Sequence, residues 1–128
     1  MSTAVLLQKL TAGGFAVEQN MNFTGDLVTH VEASVPESST DYVVSFAADV
    51  DKIQAIIILS DQDMVLETNS GAAPDDTINL LADNPYTWYL ASYYTNKLTV
   101  DVTALYATTG VVGISTLKIL MIMDATPA

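Results

Sequence analysis

Hydrophobic and polar residues alternate with a period of two along most of the chain, which is the pattern of half-buried β-strands. In residues 15–24, "FAVEQNMNFT", the odd positions hold Phe15, Val17, Met21 and Phe23, and most even positions are polar. Similar runs follow as far as "TLKILMIMD", separated by turns rich in glycine, proline and serine. The pattern predicts an all-β protein, an antiparallel β-sandwich of about eight strands.

The topology and the domain boundaries follow from length and composition. The 128 residues fit one domain, which we place at residues 13–128, and residues 1–12 form an N-terminal strand or arm that ends at the linker-like Thr11–Gly14. Jelly-roll and immunoglobulin-like topologies both fit the strand spacing. The chain has no cysteine and therefore lacks the Cys…Trp…Cys spacing of immunoglobulin domains, which favours a jelly-roll-like sandwich.

Two strands are apolar on both faces, so both of their faces should be covered. In "KIQAIIILSD" strict alternation places Ile56 and Ile58 opposite the richer apolar face, and we predict that these two residues form the outer face. In "STLKILMIMD" Leu120 and Ile122 lie opposite the other apolar positions. The N-terminal arm of the chain or a second copy can supply the missing cover.

The candidate interface residues come from three places in the sequence. The arm contributes apolar positions in "STAVLLQKL", which form a first strand or reach a neighbouring chain. The run "YTWYLASYY" concentrates aromatic residues, which are enriched at protein interfaces. Together with the outer strand face, the predicted interface residues are Val5, Leu6, Leu7, Ile56, Ile58, Trp88, Tyr89 and Tyr93.

Charge excludes several classes of partner. Fifteen acidic residues stand against four scattered lysines and no arginine, a net charge of −11. Nucleic-acid binding needs clustered cations, so it is not predicted, and binding to anionic membranes is disfavoured for the same reason. The apolar runs are too short for a transmembrane helix, and no signal peptide is evident.

Catalytic and metal-binding patterns are weak. The single histidine, His30, lies on the polar side of a strand, and no G-x-S-x-G motif accompanies it, so we predict no enzyme activity. Acidic pairs at 49–51, 61–63 and 75–76 offer oxygen ligands for calcium, but the EF-hand spacing is absent. We expect no metal and no cofactor, and we interpret "SDQDMVLETNSGAAPDDTINL" as two strands around a solvated turn at Ser70 to Asp76.

The stretch from Tyr42 to Pro127 resembles small β-sandwich virion proteins encoded beside capsid genes in tailed bacteriophages and related prophages. The resemblance is carried by "VVSFAADVDKIQAIIILSDQDMVLETNSGAAPDDTINLLADNPYTW", by "LTVDVTALYATT" and by "TLKILMIMDATP". These motifs mark turns and strand ends, and they contain no catalytic signature. The first forty residues have no counterpart in the resemblance.

The resemblance implies a capsid decoration (cement) protein with a jelly-roll-like fold. Such a protein assembles in the host bacterial cytoplasm, forms a dimer or trimer with itself, and binds major capsid proteins on the outside of the phage head. Scarce cations and surplus apolar strand faces fit that role. Two other functions stay open: a non-catalytic module that binds carbohydrate or a host surface, with or without the help of calcium, and a small tail or fibre component.

Overall fold

The computed structural model describes residues 1–125, and the prediction of an all-β protein is confirmed. Thr126 and Pro127, which complete the last motif of the resemblance, lie outside the described residues. A single turn of 3-10 helix is present at Val50–Lys52. The strands are β1 Ser2–Ala12, β2 Phe15–Gly25, β3 Leu27–Val35, β4 Tyr42–Val44, β5 Ile53–Ser60, β6 Met64–Thr68, β7 Thr77–Leu80, β8 Tyr86–Tyr89, β9 Leu105–Thr108 and β10 Ser115–Met123.

Eight of these strands form two four-stranded antiparallel sheets. The first sheet has the order β3-β10-β5-β8 and the second has the order β4-β9-β6-β7. Strands β6 and β7 form a hairpin around the loop at residues 69–76, as predicted for this stretch. Most other connections cross from one sheet to the other, so the two sheets cannot separate without the chain unfolding across both.

The core lies between the inner faces of these two sheets. Val35, Ala107, Leu117 and Ile119 have no exposed surface, and Leu66 is almost as completely buried. Strand β10 contributes alternate residues to this core, and Met64, Leu66, Ile78 and Leu80 of the β6–β7 hairpin face it from the second sheet. The period-two pattern in the sequence therefore identifies most of the inward positions correctly.

Strand β5 is the exception, and the prediction for its faces was wrong. Ile56 and Ile58 are each only 2% exposed and belong to the core, so they offer no outer surface. The pairing with β10 shifts between Ile53 and Ala55, which leaves Gln54 as the extra residue of a β-bulge. The bulge brings Ile53 onto the same inner face as Ile56, and the outer face of the strand consists of Ala55, Ile57 and Leu59.

The first two strands form a separate hairpin, which we call the arm (residues 2–25). All eleven residues of β1 pair with β2, from Ser2 with Gly25 to Ala12 with Phe15. The turn consists of Gly13 and Gly14, whose positive φ angles of 57° and 82° are those that a two-residue type I′ turn requires. Thr11–Gly14 is thus a hairpin tip instead of a linker. Within residues 1–125, strand β2 pairs only with β1, so it lies outside the two sheets of the sandwich in which residues 13–128 are predicted to fall.

The arm joins the sandwich at a very close approach between Gly25 and strand β10. Gly25 is buried, and a Cβ atom at this position would collide with the backbone carbonyl group of Met123. Just beyond it, the Asp26 Oδ1 atom accepts a hydrogen bond of 2.9 Å from the backbone N–H of Ala125. The absence of a side chain at residue 25 is therefore what allows the arm to leave the body at this point.

We predict that Gly25→Ala destabilises the protein by about 1–3 kcal/mol, because the added methyl group can fit only if the backbone of β10 or of the arm moves. Urea denaturation followed by the fluorescence of Trp88, the single tryptophan, measures the loss. Gly110→Ala is the matched control, because a Cβ atom there meets nothing within 4 Å. Equal stability of the two variants would contradict the close approach.

Candidate interaction surface

The arm has one apolar face and one mixed face. In the antiparallel register, even-numbered residues of β1 share a face with odd-numbered residues of β2. That face carries Ala4, Leu6, Gln8, Leu10, Ala12, Phe15, Val17, Gln19, Met21 and Phe23. The opposite face carries Val5, Leu7 and polar residues, among them Lys9 and Glu18, whose Nζ and Oε2 atoms form an ion pair of 3.6 Å.

The half of the arm nearest the body uses its apolar face to cover the outer face of the first sheet. Ile122 points outward on β10, yet it is only 2% exposed because the arm lies against it. At the sheet edge, the rings of Phe23 and Tyr89 lie 5.9 Å apart between their centroids and are tilted by 46°. The chain thus supplies part of the missing cover itself, one of the two alternatives that the sequence left open.

This cover is incomplete. An open apolar groove of about 330 Å³ remains between the base of the arm and the sheet. Leu6 and Phe23 line it on the arm side, and Val28, Ile57 and Leu120 line it on the sheet side. Val28 and Leu120 are still 47% and 48% exposed. The groove is therefore a continuous apolar surface that water reaches.

The outer half of the arm, residues 7–20, which we call the distal arm, has no body beneath it. Leu6 and Met21 form the outermost pair whose side chains are partly buried. Beyond them Leu10, Val17 and Phe15 are 72%, 76% and 81% exposed, although they continue the apolar face that packs on the sheet. An apolar strip of this kind on a projecting element is typical of a protein-binding surface.

The arm and the sheet beneath it are electrically neutral. Residues 1–25 contain one lysine and one glutamate, and the four strands of the first sheet also contain one of each, Lys118 and Glu32, which are paired in register. The net charge of −11 therefore lies on the rest of the chain, mainly on the loops. Because charged residues are depleted from the centres of protein interfaces, this neutral region is the best candidate surface.

The remaining predicted interface residues are dispersed. Val5 and Leu7 are 61% and 53% exposed on the mixed face of the arm. Trp88 packs against the core, and its Nε1 atom donates a hydrogen bond of 2.9 Å to the carbonyl oxygen of Tyr94. Tyr93 is fully exposed in the loop after β8. The structure therefore places Leu6 on the face of the arm that meets Tyr89 through Phe23, and it leaves Trp88 and Tyr93 apart from this contact.

Sequence reasoning missed the residues that are most exposed on the arm: Leu10, Phe15 and Val17. The signal that could have identified them is the Gly13-Gly14 pair between two alternating runs of similar length, which indicates a β-hairpin. Folding the sequence at that pair places Leu10 opposite Val17 and Leu6 opposite Met21, so the apolar face of the hairpin can be read directly.

The acidic loops bind backbone N–H groups of this chain. The Oδ1 atom of Asp61 accepts from Thr116 N at 2.8 Å, and that of Asp63 accepts from Ala82 N at 2.9 Å. Within residues 1–125 no three acidic, histidine or cysteine residues are grouped in a way that could hold a metal ion. These aspartates therefore have a structural use, which is to tie loops to neighbouring strand ends.

Asp76 is the most strongly engaged of these carboxylates. Its Oδ2 atom accepts from the backbone N–H groups of Thr99 at 2.8 Å and Val100 at 3.1 Å, and its Oδ1 atom accepts from Thr99 Oγ1 at 2.7 Å. Partial burial raises the pKa of Asp76, but these hydrogen bonds to the ionised form outweigh it, so the pKa lies below its ordinary value. Asp76 thereby holds the loop after β8 against the β6–β7 hairpin.

His30 lies exposed on the outer face of the first sheet, opposite Leu120 in the register of β3 and β10. Among the described residues, no helix is long and apolar enough to cross a membrane.

Comparison with known proteins found no matching family model, no similar curated protein and no matching solved structure.

We predict that Asp76→Asn lowers the free energy of unfolding by about 1–2 kcal/mol at neutral pH. This is the contribution of hydrogen bonds to a charged group, reduced because solvent screens a partly exposed carboxylate. The asparagine keeps one acceptor oxygen but loses the charge. Because the folded pKa is depressed, the contribution of Asp76 is complete above its unfolded pKa and declines as the pH falls through the folded pKa. Urea denaturation from pH 7 down to pH 2 should show the two proteins converging below about pH 4. A constant difference across this range would contradict the assignment.

Proposed function

We propose that this chain is a structural virion protein that decorates a bacteriophage head, binds the outside of the shell and stabilises contacts between major capsid proteins. The observation that carries the proposal is the projecting arm with its uncovered apolar face, because such an element serves association with other chains. The resemblance of residues 42–127 to phage decoration proteins supplies the identity of the assembly.

The strand order supports the proposal at the level of the fold, which we propose to be a jelly roll. Numbered from β3 as the first strand to β10 as the eighth, the sheets have the orders 1-8-3-6 and 2-7-4-5. The first strand thus pairs with the last, the second with the seventh, the third with the sixth and the fourth with the fifth. Nested pairing of this kind arises when one long antiparallel ribbon rolls up into two sheets, and jelly rolls are common in viral capsid and lectin domains.

The mechanism of stabilisation is the addition of buried area between neighbouring capsid subunits. An oligomer that contacts several subunits at once gains avidity, so modest contacts suffice. The acidic loops suit the outer surface of the shell, because a chain of net charge −11 would be repelled by the packaged nucleic acid inside.

We expect the purified protein to co-sediment with empty shells assembled from the major capsid protein of the same phage, to saturate at a fixed ratio and to raise the temperature at which the shells disassemble. Val17→Glu should weaken binding about tenfold or more, since a buried apolar side chain contributes about 1.5–3 kcal/mol. Val112→Glu, at another highly exposed valine in the loop before β10, is the matched control. Absence of wild-type protein from the pellet at saturating concentration would refute the proposal.

A second candidate function is carbohydrate binding, and it is favoured by the loop after β8. Tyr93 and Tyr94 are 100% and 80% exposed, whereas the backbone of this loop is fixed by the bond from Trp88 to the Tyr94 carbonyl group. Exposed rings on an anchored loop are suited to stacking against sugars.

If the chain is a sugar-binding module, a glycan array should give ligands whose binding falls at least tenfold in Tyr93→Ala and is unchanged in Phe15→Ala. Titration calorimetry with calcium tests whether an ion assists. If the array gives no signal either with or without calcium, carbohydrate binding is excluded as a function and the proposed role as a decoration protein remains.

A further inference from the structure

We propose that the distal arm binds a second copy of this chain, with the ring of Phe15 inserted into the groove at the base of the second copy's arm. The inference rests on the proposed function for the role of the arm in assembly, and it names the surfaces through which copies associate. The distal arm provides the inserted element, and the groove lined by Val28, Ile57 and Leu120 provides the receptor.

The two surfaces match because they are the two unused parts of one interface within the chain. The proximal part of the arm already packs its apolar face on the outer face of the first sheet. The distal arm continues the same apolar face without a sheet beneath it, and Leu120 and Ile57 continue the same outer sheet face into the groove that the arm leaves open. A contact between copies would therefore pack the apolar face of an arm on the outer face of a first sheet, as the existing contact within the chain does.

The groove has room for an aromatic ring. Its volume of about 330 Å³ exceeds the roughly 150 Å³ of an apolar cavity that accepts benzene. Phe15 is the only aromatic residue of the distal arm, it occupies the first position after the Gly13-Gly14 turn, and it is 81% exposed. The most exposed apolar ring of the arm and the apolar groove at the base of the arm are therefore complementary in size and chemistry.

The ring cannot reach the groove of its own chain. Ala12 and Phe15 form the last pair of the hairpin, six pairs beyond Leu6 and Met21, which mark the end of the body contact. At about 3.4 Å per residue, the tip lies about 20 Å past the groove. The occupant of each groove must therefore come from a different molecule.

The charge distribution allows another copy to be that molecule. Two chains of net charge −11 repel each other over most of their surfaces, but the distal arm and the first sheet are each neutral. Lys9 and Glu18 neutralise each other on the mixed face, so the inserted face carries no charge. Two copies can thus meet at this surface without placing like charges opposite one another.

Cross-linking between two single-cysteine variants tests this geometry, because the natural chain has no cysteine. Ala12→Cys, which lies beside Phe15 on the same face of the arm and keeps its ring, and Leu120→Cys are made in chains that differ in tag mass, mixed and treated with a short bis-maleimide. We expect the mixed product, residue 12 to residue 120, to exceed each variant's product with itself at least tenfold. No mixed product, or mainly product between two residues 12, would overturn the proposal in favour of no association or of packing between two arms.

The mass of the assembly in solution separates this inference from the proposed function. Wild type should be oligomeric by light scattering, Phe15→Glu and Leu120→Glu should each be monomeric, and Val112→Glu, exposed in the loop before β10, should remain oligomeric. An equimolar mixture of Phe15→Glu and Leu120→Glu should regain association through the one intact contact. If Phe15→Glu stays oligomeric but loses shell binding, the arm binds the capsid: this inference falls and the proposed function stands.

Discussion

The docking of the arm on the outer face of the first sheet is the interaction on which the rest of the architecture depends. A β-sandwich ordinarily exposes its outer faces to water, and Ile122 would be a costly residue there. The arm covers Ile122, and the contact is possible because Gly25 allows the chain to pass directly over the carbonyl group of Met123. The same contact orients the ribbon, so it also determines where the apolar tip is presented.

The distribution of charge follows from the same arrangement. The strands of the first sheet and the arm are neutral, and the aspartates lie almost entirely in loops, where Asp61, Asp63 and Asp76 accept hydrogen bonds from backbone N–H groups. A carboxylate that caps a loop still carries its charge into solvent. The acids therefore contribute to local structure and to solubility together, and they leave one neutral surface on an otherwise anionic molecule.

The alternation in the sequence was sufficient to predict the sandwich and most of its core, but two features escaped it for physical reasons. On β5, the polar residues Gln54 and Ser60 occupy even-numbered positions like Ile56 and Ile58, so alternation indicated wrongly that this face is the outer one. Gln54 is the bulge residue, whereas Ser60 is buried with its Oγ atom donating to the carbonyl oxygen of Gln62. A bulge reverses the apparent face of every later residue, and alternation alone cannot reveal one. The separate β1–β2 hairpin of the arm was not predicted because a period of two does not indicate which sheet a strand joins.

The covering of the first sheet also bears on the stability of the arm itself. An isolated two-stranded ribbon is marginally stable in water, because it has no third strand or sheet against which to bury a face. The proximal arm has that support, while the distal arm is held by its ladder of backbone bonds, the Gly13-Gly14 turn and the Lys9–Glu18 pair. Any partner that covers Leu10, Phe15 and Val17 would supply the missing face, and association would then strengthen the folding of the ribbon as well as join the molecules. Since the binding partner would also complete the fold of the arm, its affinity would depend on how well the ribbon is already formed. The turn glycines and Gly25 therefore contribute to the binding energy through the folding of the ribbon.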